Sequence, residues 1–329
     1  MLQTVIDFIK TIFLYHKMKI VMFLVCCLVF SMVFFPLTEL GEKIVAETNA
    51  SGLIYLEFES MDLSFFPRPA VIMKQALVES PMIEQVEVKY LKVAPSVLAC
   101  IQFAFTKVLK PHVNIDAEGL FGGTLEASTS ASSKIKDPQA IELDLNYSDF
   151  DVKILAKSLG PNWPVAPSAL GQLTAKMDLD PSMKTQPEGA IEMSLAKLII
   201  PQFEIATGFG PMALPAMSFQ KVVLKGTLKN GKLVLKETQL GSGSDEMILK
   251  ISGEMDIRVF PGGTPTVGFY SLAVDLNLKK SMQAKLGSAA DAIQGYLGKY
   301  STTTSEGLRY AFRVQANGFS DPMPNFTAL

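Results

Sequence analysis

Side chains able to do acid–base, nucleophilic or metal chemistry are scarce in this chain. It carries two histidines, His16 and His112, and three cysteines, Cys26, Cys27 and Cys100. His16 lies beside a long apolar run and His112 follows a proline, so neither has the context of a catalytic or metal-binding histidine. Cys26 and Cys27 sit inside the apolar run, and three cysteines without a recognisable spacing give neither a disulfide framework nor a zinc site. Each reads as a small apolar filler. Glu142, Asp144 and Asn146 alternate with Ile141, Leu143, Leu145 and Tyr147, which places the polar groups on a solvated strand face. Without burial to raise a carboxyl pKa, that row offers no general acid or base. Gly119-Leu-Phe-Gly-Gly123 lacks the Lys-Ser or Lys-Thr and the strand-to-helix setting of a phosphate loop, and reads as a bend in a sheet. No G-x-S-x-G occurs. Asn49-Ala-Ser51 fits a glycosylation sequon, a signal that has no meaning if the organism is bacterial. The expectation is a protein that is not an enzyme and uses no catalytic residue, cofactor or metal.

The elements that would position anything in this chain are strands. From Phe219 to Lys279 the sequence alternates almost throughout. Leu224 and Leu228 fall on one face with Val222 and Gly226. Asn230-Gly231 supplies a type I′ hairpin turn, and Leu233 and Leu235 resume the apolar face. Leu249 and Ile251 belong to the next run; Leu272, Val274 and Leu276 belong to the one after a Pro-Gly-Gly turn. Successive strand side chains point to opposite faces, so these segments predict an antiparallel meander that is apolar on one side and polar on the other.

Similar alternation marks Ile54 to Phe58, Val86 to Tyr90, Ile141 to Tyr147, Leu173 to Leu179 and Ile191 to Leu195. Ile199 to Met217, rich in proline and glycine, reads as an irregular connection, and Val97 to Leu109 as a buried helix or packed strand. Val152 to Leu159 has room for two helical turns. Met282, Leu286, Ile293 and Leu297 share one stripe of a helix with Ala289 and Ala290. That helix either caps the sheet or docks onto a partner or membrane. Leu308 to Ala316 reads as a last strand, and the tail from Gly318 as loosely held.

Ile20 to Leu37 contains no charge and reaches about 27 Å at helical rise, enough to cross a bilayer core. The span includes Ile20, Phe23, Leu24, Leu28, Phe34 and Leu37. Lys10, Lys17 and Lys19 precede it, which predicts a cytoplasmic N-terminus and an exported body. No A-x-A site closes the run, so a retained anchor is preferred to a cleaved signal peptide. The expected organisation is a cytoplasmic amphipathic segment over 1–19, a transmembrane helix over 20–37 and a β-rich domain over 38–329. The formal net charge of −2 in 329 residues gives no electrostatic case for nucleic acid.

The anchor followed by LTELGEKIVAETNASGLIYLEFESMDLSFFPRPAVIMKQALVES, then GLFGGTLEAS, then GAIEMSLAKLIIPQFEIATGFGPMALPAMSFQKVVLKGTLKNGKLVLKETQLGSGSDEMILKISGEMDI, resembles the type II secretion system protein N family. The resemblance covers most of Thr38 to Lys280. The strand grammar of GTLKNGKLVLKETQL and ILKISGEMDI is also similar to that of AsmA-like proteins, which are membrane-anchored, with curled β-sheet grooves associated with phospholipid movement. The resemblance implies a single-pass protein of the bacterial inner membrane with a periplasmic domain. That domain is expected to be a mainly β, elongated and curled antiparallel sheet, groove or sandwich, with a few short helices. It also implies an accessory role in protein export through contacts with other type II secretion components. The alternative is a lipid-binding or transfer module with phospholipid as its partner. No catalytic residue is implied.

Overall fold

The fold was obtained as a computed structural model. It describes residues 18–19, 21–23, 26, 45–46, 49–50, 55–64, 70–80, 83–96, 112–137, 140–158, 165–180, 182–207, 210–260, 266–318 and 324–329. The chain divides into two units, Met1–Glu47 and Thr48–Leu329. In the first, Met18, Lys19, Val21, Met22, Phe23 and Cys26 are helical and exposed. Among the described residues no helix is long and apolar enough to cross a membrane. Ile20, Leu24, Leu28, Phe34 and Leu37, and the Val97 to Leu109 segment, lie outside the described residues.

The second unit is built on one antiparallel sheet of sixteen strands. In chain order its strands are β1 (Tyr55–Glu57), β2 (Ser60–Ser64), β3 (Ala70–Ser80), β4 (Ile83–Pro95), β5 (Val113–Leu120), β6 (Gly123–Ala131), β7 (Ile141–Asp151), β8 (Ser168–Leu179) and β9 (Glu188–Ile200). They continue, after β10 (Phe203–Thr207) and β11 (Gly210–Leu214), with β12 (Met217–Lys229), β13 (Lys232–Leu240), β14 (Met247–Arg258), β15 (Thr266–Lys279), β16 (Ser301–Thr303), β17 (Gly307–Ala316) and β18 (Asn325–Ala328). Nearly every strand pairs with its neighbour in sequence. β10 and β11 form a two-stranded sheet of their own. Residues Ile199 to Met217 are therefore not an irregular connection: Ile199 and Ile200 complete β9, a small hairpin follows, and Met217 opens β12.

Register fixes the two faces. Leu224 stands opposite Thr238 and Met193, Ile251 opposite Val274 and Thr238, and Leu272 opposite Gly253 and Val314. One face thus collects the aliphatic rows across neighbouring strands. The other carries cross-strand ion pairs: Lys92–Asp116 at 3.5 Å, Lys176–Glu142 at 2.8 Å, Lys232–Glu254 at 3.4 Å and Arg309–Asp275 at 2.7 Å. Such pairs contribute little where exposed, but they keep register by penalising a one-residue slip.

Arg309 holds the Asp275 carboxyl below the usual carboxylate range through two hydrogen bonds, from Nε at 3.0 Å and Nη2 at 2.7 Å. A folded-state pKa below the unfolded one gives stability that is present above the ordinary carboxylate range and lost as pH falls through the folded value. Acid unfolding curves recorded from pH 7 downward should therefore flatten in Arg309→Gln relative to the parent. An unchanged slope would show that the pair contributes nothing.

The strand ends are unlike each other. At one end lie α1 (Val152–Ser158), the β10–β11 hairpin, α2 (Lys280–Leu286), α3 (Ser288–Leu297) and the first residue of β1, Tyr55, opposite Glu79. Asn49 ties down the approach to β1: its Oδ1 accepts from Leu56 N at 2.7 Å and its Nδ2 donates to Leu56 O at 3.2 Å. The sequon asparagine is thus occupied as a strand-edge mimic. At the other end the described residues hold hairpin turns and loops only, including Asn230-Gly231, both with positive φ (52° and 72°) as a type I′ turn requires.

The expected C-terminal helix is two helices. Gly287, at φ 51° and ψ −124°, breaks it after Leu286, and the apolar stripe continues across the break. The tail is also more ordered than expected, because β18 pairs with β17 along Phe312–Gln315.

Candidate functional site

The candidate site is the apolar face of the large sheet, and its two halves differ. At the helix-bearing end it is closed by three buried clusters. Val86, Phe121, Tyr147 and Phe150 form one, covered by Val152 and Leu155 of α1. Ala169, Leu198, Phe219 and Val222 form the second. Leu278, Met282, Leu286, Ala289, Tyr310 and Phe312 form the third, with Met212 and Leu214 of the small hairpin packed against it. Val152 is shared by the first two, and Met217 and Met247 by the last two, so the clusters make a continuous core along this end.

Met282 and Leu286 are buried and Ile293 and Leu297 half-buried against that core. The stripe singled out in the sequence is therefore the cap of the sheet, and its apolar side is spent inside the fold. The Tyr310 hydroxyl donates to Gln294 Oε1 at 2.7 Å and locks α3 to β17.

Away from this end the face changes character. Leu228, Leu235 and Leu272 are buried, whereas Leu224, Leu233, Leu249 and Ile251 are half-buried and belong to none of the three clusters. Val274 and Leu276, also half-buried, lie at the margin of the cap. All nine residues of the expected apolar face are brought together by register, and among the described residues no second sheet lies over them, the other sheet being the two-stranded hairpin. A half-covered aliphatic surface of this kind can bind apolar chains.

Thr238 is the polar residue that sequence alternation did not bring out on this face. A bulge at Lys236 resets the phase of β13, so Thr238 falls between Leu224 and Ile251 rather than on the polar side. It is 8 % exposed and its Oγ1 has no hydrogen-bond partner among the described residues. A buried hydroxyl without a partner costs about 1–3 kcal/mol, and valine has nearly its shape. Thr238→Val should raise stability by about 1 kcal/mol in urea unfolding; a loss would mean that the hydroxyl is satisfied in solution.

Of the residues weighed for chemistry, His16, Cys27 and Cys100 lie outside the described residues, and others make contacts within the fold. Glu142 pairs with Lys176, and His112 contributes its carbonyl to a bond from Ser96 N at 2.7 Å. Asp178 and Asp180 are buried, a feature the alternation did not suggest. Burial raises the Asp178 pKa, and the hydrogen bonds from Lys134 and Ser132 outweigh it and leave the group below its ordinary value. Asp180 closes its own turn, accepting from Ser182 N, Ser182 Oγ and Thr185 N. Among the described residues no group of His, Cys, Asp or Glu could hold a metal ion.

The glycine-rich Gly119–Gly123 stretch is the β5–β6 turn, with Gly119 and Gly122 at φ 88° and 81°. The polar face bears a shallow trough of about 430 Å³ over Ser252 and Ala273, bordered by Lys236, Glu237, Lys250 and Asp275. Its mixed charges give no preference for an anion or a cation.

Both sheet edges are broken into short pieces. β1 and β2 share one side of β3, and β16 and β18 share one side of β17. Edges of three to five residues are poor templates for strand addition. Comparison of the chain with protein-family models, with curated proteins and with solved structures returns no match.

Proposed function

We propose that this chain is an accessory component of the type II secretion system, anchored in the bacterial inner membrane through residues 20–37, that works by binding rather than by catalysis. The observation that carries the reading is one continuous antiparallel meander, joined to a sequence resemblance over most of Thr38 to Lys280. The first residue of β1 lies at the helix-bearing end of the sheet, opposite Glu79. Extraction of the tagged full-length protein in mild detergent should bring other secretion components with it. Recovery of the protein alone, under conditions that keep the secretion apparatus assembled, would refute the proposal.

A second reading is favoured by one specific feature, the half-buried residues Leu224, Leu233, Leu249 and Ile251, over which no layer lies among the described residues. On that reading the sheet curls into an open groove and carries a phospholipid. Mass spectrometry of the gently extracted protein should then find co-purifying lipid, which Ile251→Asp and Leu249→Asp should abolish while leaving the fold intact. Absence of lipid from the parent protein would sink this reading and leave the first untouched.

A further inference from the structure

The large sheet is electrically two-sided along its strand order. β5, β6 and β7 carry seven carboxylates and neither lysine nor arginine, whereas β12, β13 and β14 carry seven lysines and arginines against three carboxylates. β15 and β17 beyond them add three cations against one carboxylate, and β8 and β9 between the two groups hold two lysines and three carboxylates. From β6 to β13 is five strand spacings, about 24 Å along the sheet. That is about three Debye lengths at physiological salt, so the halves do not neutralise each other within one copy.

Register sets the two halves at one level. A single row runs from Asp116 through Glu126, Asn146, Thr174 and Glu192 to Lys225 and Glu237. At its acidic end the polar face is hollowed into a trough of about 290 Å³ around Ala127, bordered by Asp116, Glu126 and Asp144 with Asn114, Ser128 and Asn146. Lys92 reaches Asp116 at 3.5 Å from the neighbouring strand, while Glu126 and Asp144 stand exposed. At the basic end the bulge at Lys236 leaves that side chain exposed, as are Lys221, Lys229 and Lys232.

A face that carries both signs side by side fits a second copy of itself. A two-fold axis lying in the contact plane, parallel to the strands and between β8 and β9, sets β5, β6 and β7 of each copy over β14, β13 and β12 of the other. Rotation about that axis keeps each row at its level, so Lys236 comes over the acidic trough of the other copy. The two-fold axis across the strands would instead put carboxylate on carboxylate and cation on cation, an arrangement the same charges reject. With a formal net charge of −2 per chain, two copies meet without appreciable overall repulsion.

We infer that the polar face is an interface between two copies of this chain, an isologous dimer in which the acidic β5–β7 strands of each copy meet the basic β12–β14 strands of the other. Exposed charge pairs are individually weak, so the dimer is of modest affinity and sensitive to salt. It brings the β1 strands of both copies to the same end. The inference concerns the second unit alone and does not depend on the proposed function.

The test is sedimentation equilibrium of the full-length protein in mild detergent at about 50 mM and about 500 mM salt, between which the Debye length falls about threefold. The parent should dimerise at low salt and lose about tenfold in affinity at high salt. Glu126→Lys/Asp144→Lys and Lys229→Glu/Lys236→Glu should each lose about tenfold at low salt, because like charges then face each other. Mixed in equal amounts, the two variants should regain the association of the parent, since their pairing restores opposite charges in both halves of the two-fold contact. All four side chains are exposed, so unchanged thermal unfolding is expected and checks the fold. A mixture that associates no better than its components would overturn the inference, as would a parent association that neither variant weakens. A parent that stays monomeric at low salt would overturn it too, whether it binds anionic vesicles, a basic peptide or nothing.

Discussion

Replacing Tyr310 with alanine should remove about 4 kcal/mol of stability, the range for deleting a large buried aromatic ring. Tyr310 is 1 % exposed and lies where β17 meets the helical cap, in one cluster with Leu278, Met282, Leu286 and Ala289. Its ring fills the space between sheet and helices, and its hydroxyl reaches through to Gln294 of α3. The two contributions separate cleanly. Tyr310→Phe keeps the ring and removes a hydrogen bond whose acceptor belongs to an exposed side chain that water can satisfy, so it should cost only about 1 kcal/mol.

Urea unfolding of the two variants gives the ratio directly. Equal losses would mean that the bond, not the packing, fastens the cap. A second readout follows from burial, which pushes the Tyr310 hydroxyl pKa above its ordinary value. A raised folded-state pKa confers stability that is complete below the unfolded value, near 10, and lost as pH rises through the folded one. Tyr310→Phe should therefore lose less stability than the parent on going to alkaline pH.

The parts of this molecule legible in its sequence are those where one periodicity acts without interruption. Leu224, Leu228, Leu233, Leu235, Leu249, Ile251, Leu272, Val274 and Leu276 could be placed on one face because each strand keeps a period of two and Asn230-Gly231 fixes the first register. Exposure within that face was not legible. It depends on which helix or hairpin lies above, and nothing in the alternation of β14 distinguishes Leu249 from Leu278 of β15.

Interruptions were the other source of error. Gln75, at φ 50°, shifts the buried set of β3 from Met73 to Ala76 with Lys74 and Gln75 both exposed, and in β4 Val86 and Val88 are buried while Tyr90 is only half-buried. Lys236 moves Thr238 onto the apolar face, and Gly287 divides one stripe between two helices. The β10–β11 hairpin was hidden for a different reason: five-residue strands broken by Pro211 carry too short an alternation to register as strands. Its packing of Met212 and Leu214 on the cap is a tertiary fact.

A single methyl group on Gly171 should be nearly as damaging as the loss of a core side chain. Gly171 stands opposite Phe150 across the β7–β8 pair, and a Cβ at that position would overlap the Cε1, Cε2 and Cζ atoms of the Phe150 ring. The ring's freedom to shift is limited, since it is stacked on Tyr147 with centroids 4.7 Å apart and planes inclined by 22°. Tyr147 is in turn held by its hydroxyl, which donates to Leu120 O at 2.5 Å, and by burial. Relief must come from the β7–β8 pairing itself or from displacement of α1, whose Val152 and Leu155 pack on the same cluster. Overpacking of this kind costs about 1–3 kcal/mol, and with the ring wedged the upper end is expected for Gly171→Ala and more for Gly171→Val. The cause can be told from a general intolerance of side chains in β8 by making room. Phe150→Leu alone should destabilise, yet Gly171→Ala combined with Phe150→Leu should cost about 1–2 kcal/mol less than the sum of the single changes. Strict additivity in urea unfolding would mean that the glycine is required for some reason other than the ring, and that the α1 end of the sheet is not closed by the Tyr147–Phe150 stack.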